Sequence, residues 1–344
     1  MRFKGLGAPM NKRIIAVDKA VKSFRTYENK KGFMSSLRRK SYMKKALKGV
    51  SFSISESEIV ALLGRNGSGK STMIKLMSGI LYPDSGSISV LGMDPWKERT
   101  DLAWNIGVIF GSTHPQLFWD LPPIDTFIYV KEIYNISDED YNSRLSYLKK
   151  ILDIEKVYKR QTRQLSLGER MKCEFTASML HMPKVVFMDE PTVGVDLPSR
   201  MAISRAVLDL REKFGTTFVL TTHVVDDVAI ADRIILLDHG RKLFDGSQET
   251  LKKRFGKYAI LELYFNPESK PDISKYEILG KVFSKKDGYI GLKVKPEITK
   301  EKSFTAIFDD KDILDYRLSE PGLSSILEST YKRIDKNGKG SKGD

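Results

Sequence analysis

Apolar and polar positions alternate along LKGVSFSI (47–54), the mark of a strand with one face buried and one wet. RIIAVDKAVKSF (13–24) predicts an earlier strand with its turn. EIVALLG (58–64) is instead a continuous apolar run closed by Gly64, which suits a strand buried on both faces. The spacing turns helical in STMIKLMSGIL (71–81) and ends near Gly79. SGSISVLG and WNIGVIFG predict two further strands. From about Ile124 to His181 the pattern stays helical, and Ser137-Asp138-Glu139-Asp140 reads as a capping start for YNSRLSYLKKIL. KVVFMDE (184–190), TTFVLTTH (216–223) and RIILLDHG (233–240) are buried strands, and SRMAISRAVLDLREKFG is a helix with Gly215 just past its end.

This order predicts an α/β domain over residues 12–255, with a largely parallel sheet and a helical block inserted at about 116–183. The texture changes after about Arg254. AILELYFN, EILGKVF, GYIGLKVK and FTAIFD read as short strands and EPGLSSILESTYKRI as a helix, so a small α+β domain is expected at 256–335. The Lys/Gly-rich residues 336–344 read as a disordered tail.

No apolar run approaches the roughly 18 residues of a spanning helix. The basic start MRFKGLGAPM lacks the apolar stretch of a secretory signal, and the single Cys173 excludes an intrachain disulfide and fits a reducing cytosol. The formal net charge of +14 points to an anionic partner: nucleic acid, an anionic membrane face or a small anion. Eight of the bases fall between Lys30 and Lys48 with no acid among them, including Arg38, Arg39, Lys40, Lys44 and Lys45. Such a run can lie against anionic lipid or be a solvated loop, and the second is the commoner case.

GRNGSGKS (64–71) supplies candidate chemistry. It fits G-x-x-x-x-G-K-[ST] between a buried strand and a helix, the context that phosphate loop requires. Gly64, Gly67 and Gly69 let backbone N–H groups converge on phosphate oxygens, with Arg65, Asn66, Ser68 and Thr72 completing the loop. Lys70 reaches outer phosphates and the Ser71 hydroxyl suits Mg²⁺. A plain Gly-rich turn is the alternative, disfavoured by the full motif with its flanks. Asp189 and Glu190 close a buried strand, the place for a metal-holding Asp and a general base beside it; a strand-end turn is the bland reading. His223 closes another strand and can contact a γ-phosphate, whereas His239 and His181 fit solvated turns.

Phosphate loop, LSLGERM (165–171), VVFMDEPTVGVD and LTTH occur in that order, and together they resemble an ABC-type ATPase subunit over residues 12–255. GVIFG, QLFWDLP and RQLSLGERM resemble the drug- and lipid-exporter branch, whose ATPase is a chain separate from its permease. The resemblance implies a P-loop NTPase fold, a head-to-tail homodimer or a pair with a close paralogue, ATP and Mg²⁺ as ligands, membrane permease subunits as partners, no nucleic acid, and a peripheral place on the cytoplasmic face of the membrane. It implies that Ser166 and Gly168, in LSLGE where the family usually carries LSGGQ, contact ATP held by the other subunit. Leu167 and Glu169 are departures: one narrows backbone freedom, the other adds negative charge that Arg170 and Lys172 are placed to offset. A plain Ser166 helix cap is compatible with the same geometry. Phe24 falls where an aromatic stacks on adenine, though a core Phe is the alternative. Asp196 matches the loop that crosses between subunits. The metal-sensing glutamine is divided between the position of Ser112 and Gln116, and Gln116 is the expected Mg²⁺ contact with Ser71 and Asp189. Gln116-Leu117-Phe118-Trp119-Asp120 opens the groove that takes a permease helix in the family, unless Phe118 and Trp119 are core. A soluble ABC-type ATPase acting on ribosomes or nucleic acid is the alternative function, and a regulatory ATP-binding module without turnover is a third.

Overall fold

The computed structural model describes residues 12–27, 41–111, 116–223, 225–256, 258–266, 272, 274–300, 304, 310–327 and 330–331. The chain divides into two compact units, residues 1–246 and 247–344.

In the first unit β1 (Arg13–Tyr27) and β2 (Ser41–Ser55) form a long antiparallel pair, each strand well beyond its predicted length. The strand β2 begins inside the basic run; residues 28–40, with Arg38, Arg39 and Lys40, lie outside the described residues. A six-stranded sheet follows from β3 (Ile59–Leu63), whose five residues are all buried. The chain passes from β3 through α1 (Lys70–Met77), β4 (Ser85–Val90) and α2 (Arg99–Ala103) to β5 (Ile106–Ile109). It then runs through α3 (Pro123–Ile133), α4 (Asp138–Leu152) and α5 (Leu167–Met179) into β6 (Val185–Asp189). Helix α6 (Leu197–Phe214) leads to β7 (Thr217–Thr222), and β8 (Arg233–Asp238) and β9 (Arg241–Gly246) complete the unit. The sheet order is β5-β6-β7-β3-β8-β9, parallel except for β9, while β4 joins β1 and β2 in a separate antiparallel sheet.

The predicted caps are present. Ser137 accepts from the Asp140 amide at the head of α4, and Gly215 takes the left-handed conformation (φ 67°) that ends α6. Apolar side chains of β3, β6, β7 and β8 pack with Met73, Ile74 and Met77 of α1 and with the inner face of β1 and β2 into one core.

Register sets the site. Strands β3, β7 and β6 are parallel neighbours, with Leu63 opposite Thr222 and Asp189 opposite Thr221. Their C-terminal ends therefore finish at one level, and the segments leaving them open on the same edge, the usual ligand edge of such a sheet.

The second unit begins with α7 (Gln248–Phe255), so the structural division falls at Gly246/Ser247, ahead of the expected boundary at 255. Strands β10 (Ala259–Phe265), β11 (Gly280–Lys286) and β12 (Tyr289–Val294), with the short α8 (Ser274–Glu277), match three predicted strands. The predicted strand FTAIFD lies outside the described residues apart from Phe304, which is helical. The fourth strand of the described sheet is β13 (Ile313–Ser319), giving the antiparallel order β11-β12-β10-β13 over a separate apolar core. Residues 323–327 are helical as predicted.

Candidate functional site

A cleft of about 910 Å³ opens at the aligned strand ends. Asn66, Gly67, Gly69, Lys70, Ser71, Thr72, Asp189 and Glu190 line it, together with Phe24 and Lys44 on the β1–β2 side. Gly64 and Arg65 turn their carbonyls to the Lys70 Nζ at 2.8 and 3.3 Å, and Ser68 is buried in the loop, its carbonyl accepting from the Gly240 amide. Gly69 caps α1 at φ 108°, and a Cβ there would stand 2.8 Å from the Ala46 carbonyl oxygen. No side chain caps this helix and no acid lies in its first turn, so its first N–H groups are left for an anion in the cleft.

Lys70 is buried, and burial holds its ammonium below the ordinary lysine pKa; Glu190 and Asp189 pull the other way. Its Nζ lies 3.6 Å from Glu190 Oε1. The Ser71 hydroxyl donates to Asp189 Oδ1 at 2.9 Å, and the Thr221 hydroxyl donates to the same oxygen at 2.6 Å. These are hard oxygen donors gathered at a phosphate loop, a set that fits Mg²⁺. Thr221 also accepts the Glu190 N–H at 3.0 Å, which holds Glu190 in the left-handed region at φ 52°. Glu190 Oε1 stands 3.4 Å from His223 Nδ1, so the acid sits between the lysine and the histidine.

Phe24 is 39% exposed and belongs to the cleft wall, away from the core. Lys44 is its cross-strand partner, and Lys44, Lys45 and Lys48 all line the cleft. Part of the basic run thus faces the phosphate site, which narrows the membrane reading to residues the structure does not describe.

Gln116 does not join the metal group. Its Nε2 donates to the Val108 carbonyl at 2.6 Å, its Oε1 accepts from the Ser178 hydroxyl at 3.1 Å, and it does not line the cleft. Its backbone N–H is taken by Glu174 at 2.9 Å. Ser112 lies outside the described residues. Phe118 and Trp119 are exposed while Leu117 alone of the three is buried, so these aromatics are not subdomain core. His181 is no solvated turn residue: it stacks on Tyr134 at 3.9 Å and bonds the Ile106 carbonyl. His239 is exposed at a turn and also lines the cleft.

Ser166, Leu167, Gly168 and Glu169 are absent from this cleft's lining. They open α5 as a reciprocal capping box: Ser166 Oγ accepts the Glu169 N–H at 3.2 Å and Glu169 Oε2 accepts the Ser166 N–H at 2.8 Å. The Glu169 charge is met by Arg160 at 3.6 Å. Arg170 stacks on Trp119 and Lys172 donates to the Asp153 carbonyl, so neither is the offset the sequence suggested. A Cβ on Gly168 would lie 2.2 Å from Asp196 Oδ2, so only glycine lets α5 meet the head of α6. Asp196 itself caps α6 through the Ser199 amide at 2.9 Å.

Sequence reasoning missed Thr221, Lys45 and Arg160. A threonine inside a fully buried strand is the one signal that pointed to Thr221, since buried polar groups need partners.

A phosphate loop at the edge of a parallel sheet, with an Asp-Glu pair at the end of the next strand but one, defines a P-loop ATPase. A family profile described as ABC transporter matches residues 47–193. The linearmycin resistance ATP-binding protein LnrL of Bacillus subtilis is 32% identical over 230 residues, 65% of this chain and 72% of that protein. The energy-coupling factor transporter ATP-binding protein EcfA2 of Clostridium tetani is also 32% identical, over 60% of this chain and 73% of that one. Among solved structures, cbiO1 of Clostridium perfringens, part of an ABC transporter complex, aligns over 70% of this chain and 94% of its own with a TM-score of 0.57 at 25% identity. A dimeric ATP-binding cassette in a post-hydrolysis state with ADP and Pi has a TM-score of 0.58 at 23% identity and covers 68% of this chain and 98% of its own. The chain belongs to the ATP-binding proteins of ABC transporters and is an ABC-type ATPase. No helix among the described residues is long and apolar enough to cross a membrane.

Proposed function

We propose that this chain hydrolyses Mg²⁺-ATP in a head-to-tail pair, with itself or a close paralogue, at the cytoplasmic face of a membrane, and drives a separate permease that exports a hydrophobic, lipid-like or drug-like cargo. The observation that carries the ATPase half is the single cleft where Lys70, Ser71, Asp189, Glu190 and Phe24 converge, with His223 bonded to Glu190 at its edge. Phe24 stacks on the adenine. The Gly67–Thr72 amides and Lys70 hold the phosphates and take up the charge that develops as the γ-phosphate leaves. Ser71 and Asp189 would hold Mg²⁺, which would supply positive charge against the phosphates. Glu190 accepts the proton of the attacking water, and His223, within reach of Glu190, orients the γ-phosphate.

The signature helix supports the pairing half. Ser166 and Gly168 head α5 and are absent from the lining of their own chain's cleft, as contact with ATP held by a second subunit requires. The exposed Phe118 and Trp119 supply aromatic anchors for a permease segment. Export rests on likeness to a relative named for linearmycin resistance, whereas the energy-coupling factor relative does not share that name.

Tagged Glu190→Gln protein, purified with Mg²⁺-ATP from solubilised native membranes, tests the reading. Stoichiometric multi-spanning proteins in the eluate are the expected result. Ribosomal proteins or nucleic acid without a membrane protein would move this chain to the soluble ABC-type ATPases.

A further inference from the structure

Strand β7 ends in Thr221 and Thr222, with His223 just past it, and successive residues of a strand face opposite sides. Thr221 and His223 turn to the acid pair, as described above. Thr222 turns the other way, and its hydroxyl donates to Asp227 Oδ2 at 2.8 Å. Asp227 sits in the 3-10 helix Val225–Ile230 that follows the strand. The same carboxylate oxygen accepts the hydroxyl of Thr192. Thr192 lies in the turn that leaves Glu190 and ends at Asp196, where the Val195 amide donates to the Thr192 carbonyl at 3.1 Å. Asp227, Thr192 and Thr222 are all buried, at 4%, 4% and 0% exposure.

A buried carboxylate is a costly way to fill space, and an apolar side chain of similar size would pack there without that cost. Asp227 Oδ1 has no hydrogen-bond partner among the described residues, so the group is not placed to satisfy itself. What its other oxygen does is join two segments that share no strand pairing at this point: the turn after Glu190 and the strand end before His223. Two hydroxyls donating to one buried oxygen make that oxygen a joint between the two segments. The joint lies one residue from His223 and two from Glu190, and touches neither.

We propose that Asp227 is a positioning residue for ATP hydrolysis: by holding Thr192 and Thr222 on one oxygen, it fixes the distance between the water-activating Glu190 and the phosphate-orienting His223. The inference rests on the ATPase roles given above for those two residues. It concerns geometry between them, so nucleotide affinity, which Lys70 and the loop amides supply, is independent of it. Misplacement of reacting groups by about 1 Å can cost on the order of 100-fold in rate.

The full-length chain tests this through Asp227→Ala, Asp227→Asn, Thr192→Val and Thr222→Val. Steady-state turnover, ATP and ADP affinity and amide hydrogen exchange are the readouts. Asp227→Ala is expected to lower kcat about 10–100-fold while nucleotide Kd changes less than about threefold. Asp227→Asn keeps an acceptor oxygen for both hydroxyls and recovers most of that loss. Thr222→Val is expected to speed exchange at residues 193–196, on the far side of the joint, and Thr192→Val to speed exchange at 221–223. Turnover within about twofold of wild type in folded Asp227→Ala overturns the proposal, as does a loss of nucleotide binding in step with turnover. Where Asp227→Ala does not fold, the two valine variants decide the matter: exchange that changes only next to the substituted residue overturns the joint. Wild-type protein that binds ATP without turning it over removes the ATPase roles instead, and the exchange measurement still reports on the joint.

Discussion

Lys70 shows how one side chain can be legible in role and not in state. The motif assigns it to phosphate, and the fold adds that its ammonium bonds two loop carbonyls and faces Glu190 at 3.6 Å. Glu190→Gln is accordingly expected to keep ATP binding and lower turnover about 10²–10⁴-fold, read by comparing single-turnover hydrolysis with nucleotide affinity. Lys44 and Lys45 extend the positive field of the cleft. Replacing both with Ala is expected to weaken ATP binding about 2–10-fold at low salt and hardly at all at about 0.5 M, because exposed charges are screened. A salt-independent effect would show packing rather than charge. Gly168 carries a third expectation. Gly168→Ala puts a methyl group against Asp196 and Ser199 and should cost about 1–3 kcal/mol in denaturant unfolding without any nucleotide. A glycine needed only to approach a partner's phosphate would leave that stability unchanged.

At the scale of elements, α5 ties the signature to the head of the helical insert. Glu174 in this helix takes the amides of Gln116 and Leu117. Burial pushes its carboxyl up to about 6, against the pull of those amides and Arg170. A carboxyl raised from 4.5 favours the folded state below pH 4.5, and about 2 kcal/mol is lost as pH rises through 6. His181, just past the end of α5, is pushed down to about 4 by burial, against its bond to Ile106 and with a smaller downward push from Arg144. Its contribution has the other sign: about 3 kcal/mol present above pH 6.5 and lost as pH falls through 4. The two nearly cancel between pH 4.5 and about 6. Glu174→Gln should therefore make stability climb more steeply with pH across that window, and His181→Leu should make it fall, both measured by urea unfolding at a series of pH values. Parallel slopes in wild type and both variants would refute this pairing of opposed groups.

At the scale of the whole chain, two cores are separate: one built on β3, β6, β7, β8 and α1, the other on β10 and β12. Residues 1–246 keep every cleft-lining side chain and end with an intact β9. A chain ended at 246 is expected to fold and bind ATP with affinity within about threefold of the full chain. A chain ended at 255 carries α7 without its core and should aggregate more readily, which light scattering during thermal unfolding would show.

The sequence by itself determined the alternation of strands and helices, the phosphate loop with Lys70 and Ser71, and the acid pair at 189–190, because burial and phosphate chemistry impose local spacing on those residues. Even the departure at Glu169 was visible, though not its meaning: Glu169 completes a capping box and meets Arg160, a partner nine positions earlier across a turn. Contacts between segments far apart in the chain were decided only by the tertiary structure. Gln116 is close to the right place in sequence, but its amide turns to Val108 and Ser178 and leaves the metal group. Lys44 and Lys45 looked like membrane charge until the pairing of β1 with β2 set them beside Phe24. Burial of Thr221 was legible but its partner Asp189 was not, and Asp227, five residues past Thr222, reaches Thr192 only because β6 and β7 lie in parallel register, a property of the folded sheet.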